Sequence, residues 1–494
     1  MNSSRRFLSI CVSPRLVTTL LAFMLTVSLV QPLAAQRKPK ANGSSDAIKI
    51  PFETYKLPNG LNVILSVDHS VPTVTVDIWY HVGSKNEMPG RTGFAHLFEH
   101  MMFTGSGHVP YGTFDKLTGG VGGSNNGSTN NDRTNYYEII PSNYLESALW
   151  LEADRMGWLL DTLDITSLNK QRDVVKNERR QRVDNQPYGR VFEIYASSIY
   201  PKDHPYSWPV IGSMADLSAA SETDVKDFFR QYYAPNNASL AVVGDFDPVQ
   251  AKQWIAKYFT DIPQGKTIER PSVPLIVLKA PKRMVYEDQV QLPRLYLNWP
   301  TVGVKNEDDH VFDTISDILT GSRTARLTKA LVYDSQVAAN VAAFQNTNED
   351  VGEFMVIVSP RPGHSLTEIE SKIDEVIQKF LQEGPTAEEM QQATSGFELS
   401  FLRGLESNLG EAEQLLDGLV YHGDPGFIRT DYQRRLSVTA ADVKRVANTY
   451  LSRNRAVLSV VPKGKKDLAS KASESESVSQ KVSDQGNSAQ GGKQ

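Results

Sequence analysis

Arg91-Thr-Gly-Phe-Ala-His96-Leu-Phe-Glu99-His100-Met-Met-Phe103 is the stretch on which the reading of this 494-residue chain turns. If the segment is helical, His96 and His100 fall one turn apart on one face. Leu97, Phe98, Met101, Met102 and Phe103 supply an apolar side, and Gly105 and Gly107 follow as stop signals. Two imidazoles at this spacing can hold one Zn2+, and Glu99, beside His100, can reach a water on the metal. The order H-x-x-E-H inverts the commoner H-E-x-x-H.

A catalytic zinc takes three protein ligands and keeps one position open. Cysteine is excluded as the third. The sole cysteine, Cys11, lies in a stretch with Arg5 and Arg6, an apolar run from Leu16 to Val30, and Leu33-Ala34-Ala35 before Gln36. That is the pattern of a secretory signal over residues 1–35. The apolar run is shorter than a usual membrane span, although an uncleaved anchor is the competing reading. Cleavage leaves a mature chain with no thiol, no disulfide and no stable membrane span, and its expected address is periplasmic or secreted. The third ligand then comes from His108, Glu138, Glu152, Asp154 or Glu178, and residue chemistry alone does not rank these five.

Composition sets outer bounds. A hydrophobic content of 40% supports packed cores, and a net charge of -5 gives no general case for nucleic-acid binding. Residues 463–494 are rich in Ser, Lys, Gln, Glu and Gly, which predicts a disordered tail.

In chain order, residues 52–67 alternate around Pro58-Asn59-Gly60 and predict a hairpin. Residues 73–82 predict a strand leading to the His96 helix, and residues 111–117 a short helix. Gly119 to Thr129 combines glycines and amides; by composition it is a mobile surface loop, although glycine beside a strand also permits close approach of a second chain. Residues 134–140 predict a strand, residues 142–160 a helix capped by Ser142, and residues 167–183 a polar helix whose charges suit a solvated face. Residues 238–246 read as a buried strand, and residues 262–283 as the boundary between domains. Strands and helices then recur in similar order. The fold class expected is α+β, with two homologous halves, each a mostly antiparallel sheet flanked by helices. Residues 51–265 would be the zinc-bearing half and residues 283–462 a similar half without H-x-x-E-H.

Gly93-Phe-Ala-His-Leu-Phe-Glu-His-Met-Met-Phe-Thr-Gly-Ser106 resembles the active-site helix of the pitrilysin/insulinase family of inverted zinc peptidases. Within it, the nearest likeness is to the branch of the mitochondrial processing peptidase and its bacterial relatives. Asn59-Gly-Leu61, Gly122-Gly-Ser-Asn-Asn126, Asp132-Arg-Thr-Asn-Tyr-Tyr137, Glu152-Ala-Asp-Arg-Met156, Tyr233-Ala-Pro-Asn-Asn237 and Val243-Gly-Asp245 extend the resemblance over nearly the whole mature chain. The resemblance implies a zinc endopeptidase in which His96, His100 and Glu178 hold the metal and Glu99 is the general base. It also implies that Asn126 and Gly127 contact substrate added as a β-strand, a mode that tolerates many sequences.

Two positions depart from the family pattern. Many relatives carry a second Glu seven residues before the ligand Glu, and here that position is Gln171. Active relatives often use an Arg and a Tyr from the C-terminal half, and aligning Ala325-Arg-Leu327 places Val332 and Ala339 there, with Tyr333 one residue away. The resemblance therefore implies a heterodimer in which a related partner subunit supplies the Arg and the Tyr. Two other readings remain: a non-catalytic scaffold in a larger complex, and a peptide-binding chaperone that does not cleave.

Overall fold

The computed structural model describes residues 50–270 and 273–478. The expected signal, with Cys11, lies outside them. Strands β1 (Glu53–Lys56) and β2 (Asn62–Val67) form the expected hairpin. Gly60 at its turn has φ +94°, and a Cβ there would stand 2.7 Å from Asn236 Cβ, so only glycine fits. With β3 (Thr73–Tyr80), β4 (Ser124–Thr129), β5 (Thr134–Pro141) and β6 (Ala238–Gly244) the hairpin makes a six-stranded sheet ordered β1-β2-β6-β3-β5-β4. Only β2–β6 is parallel. β6 arrives last, takes a central place and is buried at every residue, which is why its sequence shows no alternation.

A second sheet repeats the plan. Strands β7 (Lys282–Asp288), β8 (Arg294–Val302), β9 (Ala338–Thr347), β10 (Val351–Pro360), β11 (Ala456–Pro462) and β12 (Glu476–Val478) are ordered β12-β7-β11-β8-β10-β9. β7–β11 is parallel, as β2–β6 is, and the β11–β8, β8–β10 and β10–β9 pairs are antiparallel like their counterparts. The outer edge breaks the symmetry. β1 precedes β2 and pairs with it antiparallel, whereas β12 returns from the C-terminal segment and pairs parallel with β7.

β12 corrects the expectation of a structureless tail from residue 463 onward. Ala469 and Ser470 are buried, the Ser470 N–H donates to Ser459 Oγ at 3.0 Å, and its hydroxyl donates to Glu370. Composition misled because pairing to an open sheet edge uses backbone groups, not large side chains. Residues 479–494 lie outside the described residues. β7 was also unforeseen, since Lys282 falls at the end of the stretch read as linker.

The helices that matter for the site are α1 (Phe94–Met101), α2 (Thr113–Gly120), α3 (Leu145–Thr162), α4 (Ile165–Arg179) and α5 (Val191–Ile199) in the first half. In the second half they are α6 (Asp309–Thr320), α7 (Leu366–Glu383), α8 (Ala387–Gly404) and α9 (Asn408–His422). Ser142 does not cap α3; it lies in a short 3-10 turn, and its hydroxyl donates to Asp245 Oδ2 at 3.1 Å. Among the described residues, no helix is long and apolar enough to cross a membrane.

Each sheet packs one face against helices of its own half. Val63, Val76, Ile78 and Leu240 join Leu97, Phe98 and Leu149 in one core; Leu297, Trp299 and Phe354 join Phe312, Ile315 and Ile373 in another. The opposite faces are covered across the halves. Val191, Ile194 and Tyr195 of α5 pack on Met284, Tyr286, Tyr296 and Met355 of the second sheet. In return α9 lies against β3 and β6, with Asn408 Nδ2 donating to Thr73 O at 3.2 Å and Tyr421 edge-on to Trp79. The apolar residues on these outer faces must also be buried, and this exchange locks the halves together.

Candidate metal centre

Helix α1 is set by a carboxylate that precedes it. Glu87, buried, accepts the Gly93 N–H on Oε2 and the Ala95 N–H on Oε1, both at 2.8 Å. These are orphan donors of the first turn of α1. Burial pushes the Glu87 carboxyl well up, although the backbone N–H groups oppose this. Leu97, Phe98 and Met101 anchor the inner side of α1, leaving His96 and His100 together with ring centroids 4.8 Å apart.

α4 delivers the third group. Its first turn is capped by Asp164, which accepts the Ser167 N–H at 2.7 Å, and its last turn places Glu178 beside both imidazoles. Glu178 Oε2 lies 3.0 Å from His100 Nε2 and 3.7 Å from His96 Nε2, while Oε1 pairs with Arg182 at 2.7 Å. One ligand atom from each of the three lies within 4.8 Å of the others. Glu178 Oε2 is buried yet accepts no well-directed hydrogen bond. Burial, reinforced by the charge of His100, lowers His96 to about 4, so its imidazole is neutral; the neighbouring His100 holds Glu178 below its usual range as a carboxylate. Two imidazoles, that of His96 neutral, and one carboxylate are the donor set that zinc takes.

The other four candidates for third ligand are engaged elsewhere. Glu138 and Glu152 are fully buried around Arg155, whose Nη2 is 3.1 Å from Glu138 Oε1 and whose Nε donates to Glu152 Oε2 at 2.8 Å. Asp154 accepts from the His108 backbone N–H and sits 2.6 Å from His108 Nδ1. That pair fixes a loop.

Glu99 faces the edge strand β4. Thr129 donates its hydroxyl to Glu99 Oε2 at 2.6 Å, and a Cβ on Gly127 would stand 3.3 Å from Glu99 Cγ. Burial raises the Glu99 carboxyl and the Thr129 bond opposes the rise. The Asn126 side chain accepts the Gly127 N–H at 2.9 Å. The glycine-amide stretch is thus a strand at an open sheet edge, not the mobile loop its composition suggests. The Gln171 side chain, half-buried two turns before Glu178 on α4, makes no hydrogen bond among the described residues. Val332 packs against the second core, Ala339 is exposed on β9, and Tyr333 is 47% exposed.

Thr129 and Glu87 were missed in the sequence, although a signal existed. Val82-Gly-Ser-Lys-Asn-Glu87 recurs as Val302-Gly-Val-Lys-Asn-Glu307, and Phe103-Thr-Gly-Ser106 as Leu319-Thr-Gly-Ser322. The second repeat places Phe312, Ile315 and Ser316 at the positions of His96, Glu99 and His100. Phe312 and Ile315 are fully buried, so the matching position in the second half is apolar core. Thr347, the counterpart of Thr129 in the β9–β10 hairpin, donates to Asp309 Oδ1 at 2.6 Å.

Fold and triad together define a class: duplicated α+β proteins with an inverted His-x-x-Glu-His helix in one copy. Comparison with known proteins agrees. The model of the insulinase family (peptidase family M16) matches residues 62–211, and that of the peptidase M16 inactive domain matches residues 219–397. The zinc protease PqqE of Helicobacter pylori is 30% identical over 406 residues, 81% of this chain and 90% of that protein. The uncharacterized zinc protease YmxG of Bacillus subtilis is 23% identical over 361 residues, 72% and 85%. A crystal structure of a protease from Helicobacter pylori superposes with a TM-score of 0.76 at 28% identity, covering 84% of this chain and all of that one. The chain belongs to the insulinase family of peptidases, M16, and has bacterial zinc proteases among its relatives.

Proposed function

We propose that this chain is a zinc-dependent endopeptidase acting on extended peptides or unfolded polypeptides. His96, His100 and Glu178 would hold the metal. The observation that carries this reading is the convergence of two imidazole nitrogens on a buried carboxylate oxygen that accepts no directed hydrogen bond. Zinc, when bound, supplies Lewis-acid polarisation of the scissile carbonyl and a lowered pKa for the attacking water.

The remaining work falls to the chain's own residues. β4 offers unpaired backbone groups to an extended segment, which would add as a further strand, with Asn126 and Gly127 nearest the scissile bond. Glu99 Oε2 is held by Thr129, leaving Oε1 to take the proton from water as its oxygen attacks the carbonyl carbon. Glu99 then returns that proton to the departing amine as the C–N bond breaks. The signal-like N-terminus supports a periplasmic or secreted site of action, and the absence of Arg and Tyr at Val332 and Ala339 supports a heterodimer with a related partner.

The test is metal analysis of the purified protein together with cleavage of a peptide library. One zinc per chain is expected, with products that disappear in Glu99→Gln while zinc stays bound. Equal turnover by Glu99→Gln and the parent would sink the peptidase reading in favour of a scaffold.

A further inference from the structure

The first half's substrate hairpin turns at Asn130–Arg133, one residue beyond Thr129, and there it meets the turn between β9 and β10 of the second half. Asn131 Nδ2 donates to Asn348 Oδ1 at 2.8 Å, and the Glu349 N–H donates to Asp132 Oδ2 at 2.9 Å. Lys85 Nζ, its side chain 10% exposed, bridges the two turns: 2.9 Å to Asp132 Oδ1, 2.5 Å to Glu349 Oε2 and 3.2 Å to Asp350 Oδ2. His81 Nε2 lies 2.7 Å from the same Glu349 oxygen, Lys305 Nζ is 2.8 Å from Glu349 Oε1, and Tyr206 donates its hydroxyl to Asp132 Oδ1 at 2.6 Å. Asp132, Glu349 and Asp350 come close enough to hold a cation, and the Lys85 ammonium sits among them.

From this juxtaposition we infer that the second half positions the substrate strand of the first. The turn Asn348-Glu349-Asp350 clamps the turn Asn130–Arg133 and thereby sets the place of Asn126, Gly127 and Thr129 against Glu99. The inference rests on the reading of β4 as the substrate strand. Its physical basis is the cost of leaving a buried charge without its partner, which ties the two turns to a single mutual geometry. The first half alone holds the turn through main-chain bonds from Ser84 and Lys85 to Asn130 and Asn131. It gives the Asp132 carboxylate the Lys85 ammonium and the Tyr206 hydroxyl, and the second half adds the Glu349 N–H. Glu349, Asn348 and Lys85 are positioning residues that act through the hairpin.

The experiment uses the full chain carrying Glu99→Gln, so that a long unstructured peptide can bind without being cut. Glu349→Ala is expected to raise amide hydrogen exchange over residues 124–133 by about tenfold while amides of α1 and α4 keep their protection. It should weaken peptide binding by about tenfold and leave zinc content unchanged. Glu349→Gln, whose amide oxygen still accepts from Lys85, should restore most of both. Asn348→Ala, a milder change suited to the case where Glu349→Ala misfolds, should move both readouts in the same direction. Unchanged exchange at residues 124–133, or unchanged peptide affinity, in either folded variant overturns the clamp. If exchange responds while the parent binds no peptide, the clamp stands and the substrate-strand reading falls.

Discussion

Thr129 donates its hydroxyl to Oε2 of Glu99 at 2.6 Å, joining edge strand β4 to the carboxylate that would accept a proton. The bond leaves Glu99 one free oxygen and fixes its direction. Hydrogen bonds to charged groups contribute about 1.5–3 kcal/mol, so Thr129→Val is expected to lower kcat by about 10–100-fold. Zinc content and KM should stay near the parent's, and Thr129→Ser should recover most of the rate. Steady-state kinetics beside metal analysis check this; loss of zinc in Thr129→Val would show a structural role instead.

One zinc per chain is expected, and none from the second half. Phe312 and Ile315, fully buried, stand where His96 and Glu99 stand in the first copy. Glu178→Ala should weaken zinc binding by more than the roughly 10–100-fold that changes around a ligand cost. Competition with a graded series of chelators measures this. Retention of stoichiometric zinc by Glu178→Ala under chelator would remove Glu178 from the ligand set.

The same comparison shows what the sequence could and could not reveal. His96, Glu99 and His100 were legible because one helical turn fixes their geometry. Glu178, 78 residues beyond His100, was one of five candidates on chemistry alone and was picked out by family resemblance. The sheets were legible where strands alternate, as in β3, and where a continuous apolar run is buried on both faces, as in β6. Other elements had no such mark. β4 reads as glycine and amide because an edge strand with a single neighbour needs little side-chain packing. β12 and the buried Ser470 lie in a stretch almost devoid of large apolar residues. α5 and α9 bury their faces against the opposite half, a pairing that no local pattern encodes.

Acid should expose the anchoring of that C-terminal segment. Burial pushes the Glu370 carboxyl up, but hydrogen bonds from Arg283, Ser470 and Arg455 outweigh this and bring it down from 4.5 to about 2. A carboxyl depressed in the folded state contributes stability that is fully present above its unfolded value and is lost as pH falls from 4.5 toward 2. The shift corresponds to about 3 kcal/mol. Between pH 6 and pH 3, urea unfolding is expected to show a loss of about 2 kcal/mol in the parent, the rest disappearing only below pH 3. In Glu370→Gln the loss should be smaller and the starting stability lower. Parallel pH dependence in the two proteins would dismiss Glu370 as the source.

Cleavage by the isolated chain is expected to be weak, for a reason visible in the second half. Val332 is half-buried against its own core and Ala339 lies exposed on edge strand β9, and neither can donate a side-chain hydrogen bond to a substrate. A developing negative charge on the scissile carbonyl would then lack the donors that an Arg and a Tyr provide, and one such donor is worth about 100–1,000-fold in kcat. Adding a related subunit that carries both residues should raise kcat by at least that factor without changing the zinc content of this chain. Changing the Arg and Tyr of that partner should abolish the gain. Stopped-flow cleavage assays with the chain alone, the mixture and the mutated mixture separate these cases. Rapid turnover by the purified chain as a monomer or homodimer would refute the need for a partner and would direct attention to Tyr333, adjacent to the expected position and 47% exposed.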